Sequence, residues 1–399
     1  MTRPLPRIAQ SPTDPAFVQD PYAFYERARA LGRLVIWEDY AMPCAVGHAA
    51  ANAILRDRRF GRTPPVPPPV PDHLRPFHAL EENSMLELEP PRHTRLRNLA
   101  LRAFTTSRIA ALEPEIAALA HSLIDALPEG GGDLIPGFAQ RLPVIVIARL
   151  LGVPEDRADD LLTWSNAMVA MYQARRDRAV EDAAARAARD FAAYLRGLIE
   201  IRRSRPADDL LSHLIAAEEA GAQLTTDEMV STCVLLLNAG HEATVHTLGN
   251  AIKTLLETRA TPPALAPDAI DATVEEVLRF DPPLHLFMRW AYDDIDVMGH
   301  KIPRGTRVAC LLAAANRDPG PWKDPTRFDP GRVAKPNLSF GAGLHFCLGA
   351  PLARLELRTA LPILFGRLRA LTLAVPPRYA NLYPFHGLEA LRVRYDKRP

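Results

Sequence analysis

The sequence predicts a mainly α-helical protein with a minor β-sheet, and three observations support this prediction. Apolar residues recur at helical spacing over most of the 399 residues. Strand-like runs are few and short, and the clearest are residues 34–37 and 307–312. One helical segment is long enough to cross a whole domain. There is no internal repeat, so a repeat architecture is not indicated.

The longest helix predicted from the sequence runs from about Thr226 to Glu257. Thr225 and Glu228 have the spacing of a capping box, which predicts its N-terminus. At about 1.5 Å per residue, this helix spans about 50 Å. Its centre, residues 234–240, is apolar on nearly every face and should be buried. Four polar residues argue against a transmembrane span: Asn238, His241, Glu242 and His246.

Composition narrows the possible functions. The 48 Lys and Arg residues nearly balance the 47 Asp and Glu residues, so no overall charge favours nucleic acid or an anionic membrane. The four cysteines have no metal-type spacing, which fits a reducing compartment rather than a disulfide framework. Residues 1–7 lack the apolar stretch of a signal peptide or anchor. We therefore expect a cytoplasmic protein without a nucleic-acid or membrane partner.

The most informative segment surrounds a single cysteine near the C-terminus. It reads Phe340-Gly341-Ala342-Gly343-Leu344-His345-Phe346-Cys347-Leu348-Gly349. Six of its positions fit the pattern F-G-x-G-x-H-x-C-x-G, and the segment resembles the haem-thiolate loop of the cytochrome P450 monooxygenases. An iron that cleaves dioxygen needs an anionic, electron-donating axial ligand, and a cysteine thiolate supplies it. A buried structural cysteine in a glycine-containing turn is the alternative.

The residue types around Cys347 suit a thiolate ligand. Cys347 precedes a helical run from Gly349 to Leu357, so its sulfur should lie at a helix N-terminus, where a thiol pKa falls. Gly341 and Gly343 let the backbone fold tightly around the sulfur, and Gly349 leaves room for a porphyrin. The resemblance implies haem b, an iron protoporphyrin IX with an axial thiolate from Cys347, and it places Phe340 against the cofactor.

The resemblance extends from about residue 15 to the C-terminus. Length alone would suggest two domains, but the resemblance implies one P450 domain over residues 1–399, with the long helix over the haem. We expect residues 1–15 to be a flexible N-terminus and the protein to be a monomer. The proline-rich residues 61–77 should be extended. The resemblance places them in the loop that roofs the substrate pocket, and a polyproline ligand is the alternative.

Residues 239–244, Ala-Gly-His-Glu-Ala-Thr, resemble the family's oxygen-binding signature A-G-x-[D/E]-T-T. Ala239 and Gly240 are small, so that dioxygen and a water molecule can lie against the helix above the iron. Glu242 is the type of carboxylate that relays protons, although a helical Glu is more commonly solvated or in a salt bridge.

The sequence departs from this signature at its first Thr, which is Ala243 here. Thr244 cannot replace it, because one residue turns a helix by about 100°. There are two explanations. Either the substrate's own hydroxyl or an ordered water completes the proton relay, or the enzyme couples oxygen consumption less tightly to product formation. We favour the first explanation.

Further positions match the family's haem-anchoring residues. Glu276 and Arg279 form an E-x-x-R pair, and Arg332 would complete a structural triad beneath the cysteine loop. Alone, such a pair at i and i+3 is an ordinary surface ion pair. Buried haem propionates require charge-assisted donors, and four residues match those positions: His93, Arg97, Arg289 and His345. Each would otherwise be an ordinary exposed base.

The substrate pocket implied by the resemblance is mostly apolar, as small-molecule cavities are. Its predicted lining is Leu235, Leu236, Asn238, Ala239, His285, Leu286, Phe287, Phe385 and His386. Asn238, His285 and His386 could hold a polar substituent, and core packing or solvent exposure is the alternative for each. The sequence does not identify the substrate.

The sequence therefore predicts a monooxygenase that inserts one atom of dioxygen into a mostly apolar small organic substrate. The chain carries no flavin or ferredoxin segment, so we expect electrons from a separate ferredoxin and ferredoxin reductase. A basic patch of Arg102, Arg354 and Lys335 is the candidate docking surface. The alternatives are a peroxide-dependent or non-oxygenating haem-thiolate enzyme, which Ala243 favours, and a non-catalytic haem-binding protein.

Overall fold

The computed structural model describes residues 4–102, 104–219, 224–333 and 335–398. The α-helices of this part of the chain are α1 Pro15–Gln19, α2 Tyr22–Leu31, α3 His48–Arg56, α4 Arg75–Glu81, α5 Arg92–Leu101, α6 Thr106–Ala111, α7 Glu113–Ala126, α8 Arg141–Leu151, α9 Ala158–Val169, α10 Arg178–Ser204, α11 Leu210–Glu219, α12 Thr226–Thr258, α13 Ile270–Phe280, α14 Leu312–Asn316 and α15 Ala350–Arg367. The predicted helix-rich class is confirmed.

The strands are short. They are β1 Arg7–Ile8, β2 Leu34–Trp37, β3 Met42–Ala45, β4 Phe60–Gly61, β5 Gly131–Asp133, β6 Leu286–Ala291, β7 Ile295–Val297, β8 His300–Ile302, β9 Arg307–Leu311, β10 Leu368–Leu373 and β11 Arg392–Lys397. Strands β2 and β9 confirm the two strand-like runs of the sequence, except that Leu312 begins α14. The sheets have the orders β1-β2-β3-β9-β6-β4, β10-β11-β5 and β7-β8.

The N-terminal segment is held in the largest sheet. Arg7 and Ile8 pair in parallel with Ile36 and Trp37 of β2. The backbone N–H of Gln10 also donates to Asp39 at 2.8 Å. The prediction that residues 1–15 are flexible is therefore wrong from residue 4 onward, because strand pairing fixes this segment. Residues 1–3 lie outside the described part of the chain.

Helix α12 is the core of the helical part. The predicted capping box is present, since Thr225 Oγ1 accepts from the Glu228 N–H and Glu228 Oε2 accepts from the Thr225 N–H, both at 3.2 Å. Glu228 also accepts from Arg95 of α5 at 2.6 Å. This ion pair fixes α5 against the start of α12. Most side chains of α12 are buried among α8, α9, α10 and α13.

The six-stranded sheet packs on both faces. Alternate residues of a strand point to opposite faces, so Leu34 joins the apolar cluster with Leu338 and Ala342 of the cysteine loop. Val35 joins the opposite cluster, with Phe17 and many aromatic rings. One face of the sheet thus supports the cysteine loop. In the described residues, no helix has both the length and the apolarity needed to span a membrane.

Candidate functional site

One face of α12 is open in the middle of an otherwise buried helix. Ala239 is exposed, and Leu235, Glu242 and Ala243 are half-buried. These four residues are spaced so that they share one side of the helix. Small and apolar side chains that stay uncovered at this depth mark a cavity that the protein atoms do not fill. The face has the composition of a small-molecule pocket with one acidic group.

Gly240 lies on a different face. A Cβ at this position would lie 2.9 Å from Cγ1 of Ile147 on α8. The glycine therefore lets α12 and α8 approach closely. Ala239, one residue earlier, is exposed on the open face of α12 and stays a candidate for the residue that leaves room for dioxygen.

Glu242 is flanked by two imidazoles, and we call Glu242, His241 and His246 the Glu242 cluster. Oε1 of Glu242 lies 3.2 Å from Nε2 of His246, and Oε2 lies 3.8 Å from Nε2 of His241. Burial raises the pKa of Glu242, but the hydrogen bond from His246 and the nearby His241 outweigh it, so its pKa is lowered. In the sequence, both histidines stand out only as polar interruptions of an apolar segment. For His246 the spacing from Glu242 was the available signal, since i and i+4 residues meet on a helix.

As predicted, Thr244 does not replace the missing hydroxyl at Ala243. Thr244 is buried, and its Oγ1 donates to the Gly240 carbonyl at 3.3 Å. The next hydroxyl, of Thr247, donates to the Ala243 carbonyl at 2.7 Å. Both hydroxyls are bonded to the helix's own backbone, so neither points freely into the open face.

The cysteine loop folds as its glycines indicate. Gly341 and Gly343 have φ values of 68° and 72°, in the left-handed region that favours glycine. A Cβ at Gly343 would lie 2.2 Å from the Leu55 carbonyl oxygen. The Cys347 N–H donates to the Phe340 carbonyl at 3.0 Å, and α15 begins three residues after the sulfur. The sulfur therefore lies at a helix N-terminus, as predicted.

The pKa of Cys347 shows that the protein alone does not favour the anion. Burial raises the pKa of this thiol, although the N–H groups of Gly349 and Ala350 and the charges of Arg97 and Arg354 act to lower it. The expected fall in pKa is wrong for the protein by itself, because desolvation outweighs the helix terminus. A bound cation at the sulfur is what would favour the thiolate. Burial raises the pKa of the other three thiols to about 12, and all three are fully buried: Cys44, Cys233 and Cys310.

Two of the predicted propionate donors are buried without an anionic partner in the described residues. Nδ1 of His93 has no hydrogen-bond partner, and burial lowers the pKa of His93 to about 4, so this imidazole is neutral. Arg289 is only 2% exposed and donates to the Met288 carbonyl at 2.8 Å. Burial also lowers the pKa of Arg289, to about 10. Glu87 and Glu89 are near enough to interact with Arg289 but make no ion pair with it. A buried guanidinium without a directly bonded carboxylate is stabilised by an external anion, so this pair fits a haem carboxylate.

The other two predicted donors have protein partners. Nη2 of Arg97 donates to the Phe346 carbonyl of the cysteine loop at 2.7 Å. Nε2 of His345 lies 3.2 Å from Oε1 of Glu89, a residue that the sequence analysis did not consider. The rings of His93 and His345 are 4.5 Å apart, and charge interactions connect His93 with Arg97 and His345 with Arg289, so the four residues form one group. His345 would have to share its proton between Glu89 and a propionate.

The structure brings the predicted triad together. Nε and Nη2 of Arg279 donate to the two Glu276 oxygens at 2.7 and 2.8 Å, and Nε of Arg332 donates to Oε1 at 3.4 Å. Arg279 also donates to the carbonyls of Asn316 and Pro325 at 3.0 and 2.8 Å. These bonds connect α13 to the loop before the cysteine. Both members of the Glu276–Arg279 pair are buried, unlike an ordinary surface pair.

Two predicted pocket histidines lie elsewhere. His285 is fully buried, with Nδ1 2.9 Å from the Tyr25 hydroxyl, and His386 stacks on Tyr379 at 3.7 Å between ring centres. Nε2 of His386 lies 3.4 Å from Oδ1 of Asp281. We call Asp281, His285 and His386 the Asp281 cluster. Its histidines are packed among protein groups, so their assignment as pocket residues is wrong.

The remaining predicted pocket residues divide into two groups. Leu236 and Leu286 are buried in the core, so neither lines an open space. Asn238 is half-buried, and its Nδ2 contacts Met168 Sδ at 3.7 Å. Phe287 and Phe385 are half-buried, and they remain candidates for the pocket wall together with Leu235 and Ala239.

A long helix with an open face, together with a cysteine at a helix N-terminus and basic side chains near it, fits the class of haem-thiolate proteins. The sequence model of the family described as cytochrome P450 matches residues 269–379. The cytochrome P450 monooxygenase PikC of Streptomyces venezuelae is 38% identical over 397 residues, covering 96% of this chain and 92% of the relative. The biotin biosynthesis cytochrome P450 of Bacillus subtilis (strain 168) is 36% identical, covering 98% of this chain and 100% of the relative.

The solved structures that resemble this chain are also cytochromes P450. The crystal structure of P450BioI with acyl carrier protein that carries hexadec-9Z-enoic acid has a TM-score of 0.91 and 35% identity. It covers 96% of this chain and 100% of that chain. The chain belongs to the cytochrome P450 family. It is a haem-thiolate monooxygenase that acts on small molecules, with protoporphyrin IX haem and cysteine ligation.

Proposed function

We propose that Cys347 is the haem ligand and that α12 forms the opposite wall of a pocket for a mostly apolar organic substrate. The observation that carries this proposal is the environment of the four thiols. Cys347 alone is not fully buried, and it alone accepts from helix-terminal N–H groups, those of Gly349 and Ala350. When bound, the haem supplies the activation of dioxygen for insertion of one atom into the substrate.

The haem propionates are held by side chains that have no carboxylate partner among the described residues. Nδ1 of His93 and the guanidinium of Arg289 are the strongest candidates, since they are buried and have no carboxylate partner among the described residues. Arg97 holds the cysteine loop through the Phe346 carbonyl and retains other N–H groups for a propionate. The Phe340 carbonyl accepts from the Cys347 N–H, and a Cβ at Gly349 would have only Cys347 Sγ near it, at 4.0 Å. That free space accommodates a flat macrocycle.

At the open face of α12, the substrate lies next to the groups that supply protons. Leu235, Ala239 and Ala243 give that face an apolar surface, and Phe287 and Phe385 are the candidate aromatic walls. An acyl chain is one molecule that fits, as the fatty acid in the P450BioI complex illustrates. Glu242 holds or passes protons at its carboxylate oxygens. The substrate's hydroxyl or an ordered water completes the path that Ala243 leaves open.

Electrons come from a separate ferredoxin and ferredoxin reductase, which we propose from the family resemblance. Of the predicted docking cations, Arg354 donates to Glu275 at 2.5 Å, and Lys335 donates to the Pro321 carbonyl at 2.5 Å. Arg102 is exposed at the C-terminal end of α5. Because Glu275 balances Arg354, we expect docking to depend more on Arg102.

The remaining parts of the proposal concern the whole molecule. Similarity over 96–98% of the chain supports one catalytic domain. The four free cysteines support a reducing compartment, and the cytoplasm is the one we propose. We also propose that the enzyme acts as a monomer.

The test is the reduced, carbon-monoxide-treated spectrum of purified protein. The parent should show the red-shifted Soret band of a thiolate-ligated haem. Cys347→Ser should lose it, whereas Cys310→Ser should keep it, because Cys310 is buried in the sheet. A spectrum unchanged by Cys347→Ser would exclude Cys347 as the ligand.

A further inference from the structure

We propose that Glu275 is a positioning residue for the haem-thiolate loop. It holds Arg354 against Phe340, connects the chain on both sides of Cys347, and balances the charge that Arg354 would otherwise add near the sulfur. The inference goes beyond the proposed function but rests on one part of it, that Cys347 is the haem ligand. Glu275 precedes the triad member Glu276 in the chain, and it is half-buried where Glu276 is buried.

Glu275 contacts the chain before and after the cysteine loop. Oε2 accepts from Nδ2 of Asn337 at 3.1 Å, and Oδ1 of Asn337 accepts from the Ser339 N–H at 3.1 Å. On the other side, Nε and Nη2 of Arg354 on α15 donate to Oε1 and Oε2 of Glu275 at 2.5 and 3.3 Å. Asn337 precedes Cys347 in the chain, and Arg354 follows it. One carboxylate on α13 therefore connects both ends of the loop that carries the sulfur.

The guanidinium of Arg354 lies over an aromatic ring of the loop. Its Cζ is 4.6 Å from the centre of the Phe340 ring, which is within cation–π distance. The Phe340 carbonyl accepts from the Cys347 N–H at 3.0 Å, so the ring belongs to the residue that closes the loop around the sulfur. Burial raises the pKa of Cys347, and the charge of Arg354 is among the influences that act to lower it. The charge of Arg354 therefore acts on the sulfur.

Two arginines act on the Cys347 sulfur, and only one of them is balanced by a carboxylate. Nη2 of Arg97 donates to the Phe346 carbonyl at 2.7 Å, and no carboxylate of the described residues pairs with Arg97. The two oxygens of Glu275 bind Arg354 bidentately, the geometry in which a carboxylate pairs best with arginine. Uncompensated positive charge at the thiolate is therefore limited to that of Arg97, which leaves the sulfur able to donate electron density to iron.

The balance of charge at the sulfur influences how readily a bound haem is reduced. An uncompensated cation near the thiolate stabilises the electron that reduction adds, and an uncompensated anion does the opposite. Loss of the Glu275 charge should therefore favour the reduced form, and loss of the Arg354 charge should disfavour it. A residue that served only to hold the fold together would not produce shifts of opposite sign.

The first experiment measures the equilibrium constant for reduction of the holoenzyme against a reference dye. Glu275→Gln keeps the size of the side chain and one acceptor oxygen, and it should raise this constant by about threefold. Arg354→Gln should lower it by about threefold. The double variant Glu275→Gln/Arg354→Gln should return it close to the parent value, because both charges are removed together.

The matched control is the ion pair one turn further along α15. Nη2 of Arg358 lies 3.5 Å from Oε2 of Glu113, and both side chains are at least as exposed as those of the Glu275–Arg354 pair. Glu113→Gln and Arg358→Gln remove the same charges but leave the contacts of Glu275 intact. Each should change the reduction constant by much less than the corresponding loop variant. Equal shifts at the two pairs would overturn the proposal, because they would reveal a general effect of surface charge.

The second experiment tests the connection between the two ends of the loop. It follows the loss of the red-shifted Soret band of reduced, carbon-monoxide-treated protein at constant temperature. Glu275→Ala removes the bonds to Asn337 and Arg354 and should speed this loss by about fivefold, whereas Glu275→Gln should restore part of the parent rate. Asn337→Ala should also speed the loss but leave the reduction constant unchanged, since it removes a bond and no charge. Loss at the parent rate in both alanine variants would contradict the connecting role of Glu275.

The outcomes separate the inference from the proposed function. If the parent shows no red-shifted Soret band, Cys347 is not the haem ligand and the inference fails with it. If the band is present but Glu275→Gln leaves the reduction constant unchanged or lowers it, only the inference is overturned. Glu275→Gln decides this by itself if Arg354→Gln does not retain haem, because the isosteric change removes the charge alone.

Discussion

The Glu242 cluster and the Asp281 cluster contain the same kinds of side chain, one carboxylate and two imidazoles, but they are enclosed differently. Oδ1 of Asp281 accepts from the Tyr22 hydroxyl at 2.9 Å, and Oδ2 accepts from the Tyr379 hydroxyl. Glu242 accepts only from His246 within the described residues, and its side chain is 13% exposed against 5% for Asp281. The carboxylate that borders the pocket is the one with unused acceptor capacity.

An unpartnered nitrogen alone does not distinguish the clusters. Nε2 of His285 also lacks a hydrogen-bond partner, as Nε2 of His241 does. Ligand atoms of Asp281, His285 and His386 lie within 4.8 Å of one another, a spacing compatible with a metal ion. However, two tyrosine hydroxyls already donate to the Asp281 carboxylate, and His386 stacks on Tyr379. We therefore assign the cluster a structural role. We propose that the carboxylate's surroundings determine whether such a cluster stabilises the fold or transfers protons.

The largest expected effect is on stability, from Asp281→Ala. The buried Tyr379 phenol would lose its acceptor, whereas the Tyr22 hydroxyl keeps the Phe280 carbonyl at 3.1 Å. An unsatisfied buried donor costs about 1–3 kcal/mol, so we expect a loss of about 2 kcal/mol in the free energy of unfolding. The measurement is denaturant unfolding followed by the Soret band. The exposed Asp293→Ala serves as the control. A loss as small as that of the control would contradict a structural role for the Asp281 cluster.

Acid should destabilise the protein through the Asp281 cluster. Burial holds the pKa values of His285 and His386 well below the ordinary imidazole value of 6.5. The unfolded chain therefore binds protons that the folded protein excludes, and stability falls as pH drops below about 6.5. The slope is up to about 1.4 kcal/mol per pH unit for each imidazole.

The double variant His285→Gln/His386→Gln sharpens this comparison. Its unfolding free energy should depend less steeply on pH between 6.5 and 5 than that of the parent, as measured by unfolding at a series of pH values. His213→Gln should leave the slope unchanged, because that ring is exposed. Equal slopes in the double variant and the parent would show that other histidines carry the effect.

The smallest expected effect comes from Ala243→Thr beside the Glu242 cluster. If the substrate or a water completes the relay, a new hydroxyl adds little, and the peroxide share should change by less than about twofold, far below the effect of positioned proton transfer. Peroxide and product yields with the true substrate provide the measurement. Much tighter coupling in the variant would show that the missing hydroxyl limits the parent enzyme.

Features that depend on short-range spacing were predictable from the sequence. The capping box at Thr225 and Glu228 fixes the start of α12, and the glycines around Cys347 fix the loop. Glu276 and Arg279 meet because i and i+3 residues share a helix face. In each case the interacting groups are a few residues apart, so local geometry determines the contact.

Only the tertiary structure decided which faces are covered. Gly240 faces Ile147, and His285 faces Tyr25, since packing against residues far away in sequence selects these contacts. The raised pKa of Cys347 likewise reflects burial by the whole fold, which outweighs the local helix terminus. The sequence determined the family and the chemistry of the thiolate loop. Long-range packing determined which polar side chains became structural and which remained beside the pocket, because burial depends on segments that no local pattern specifies.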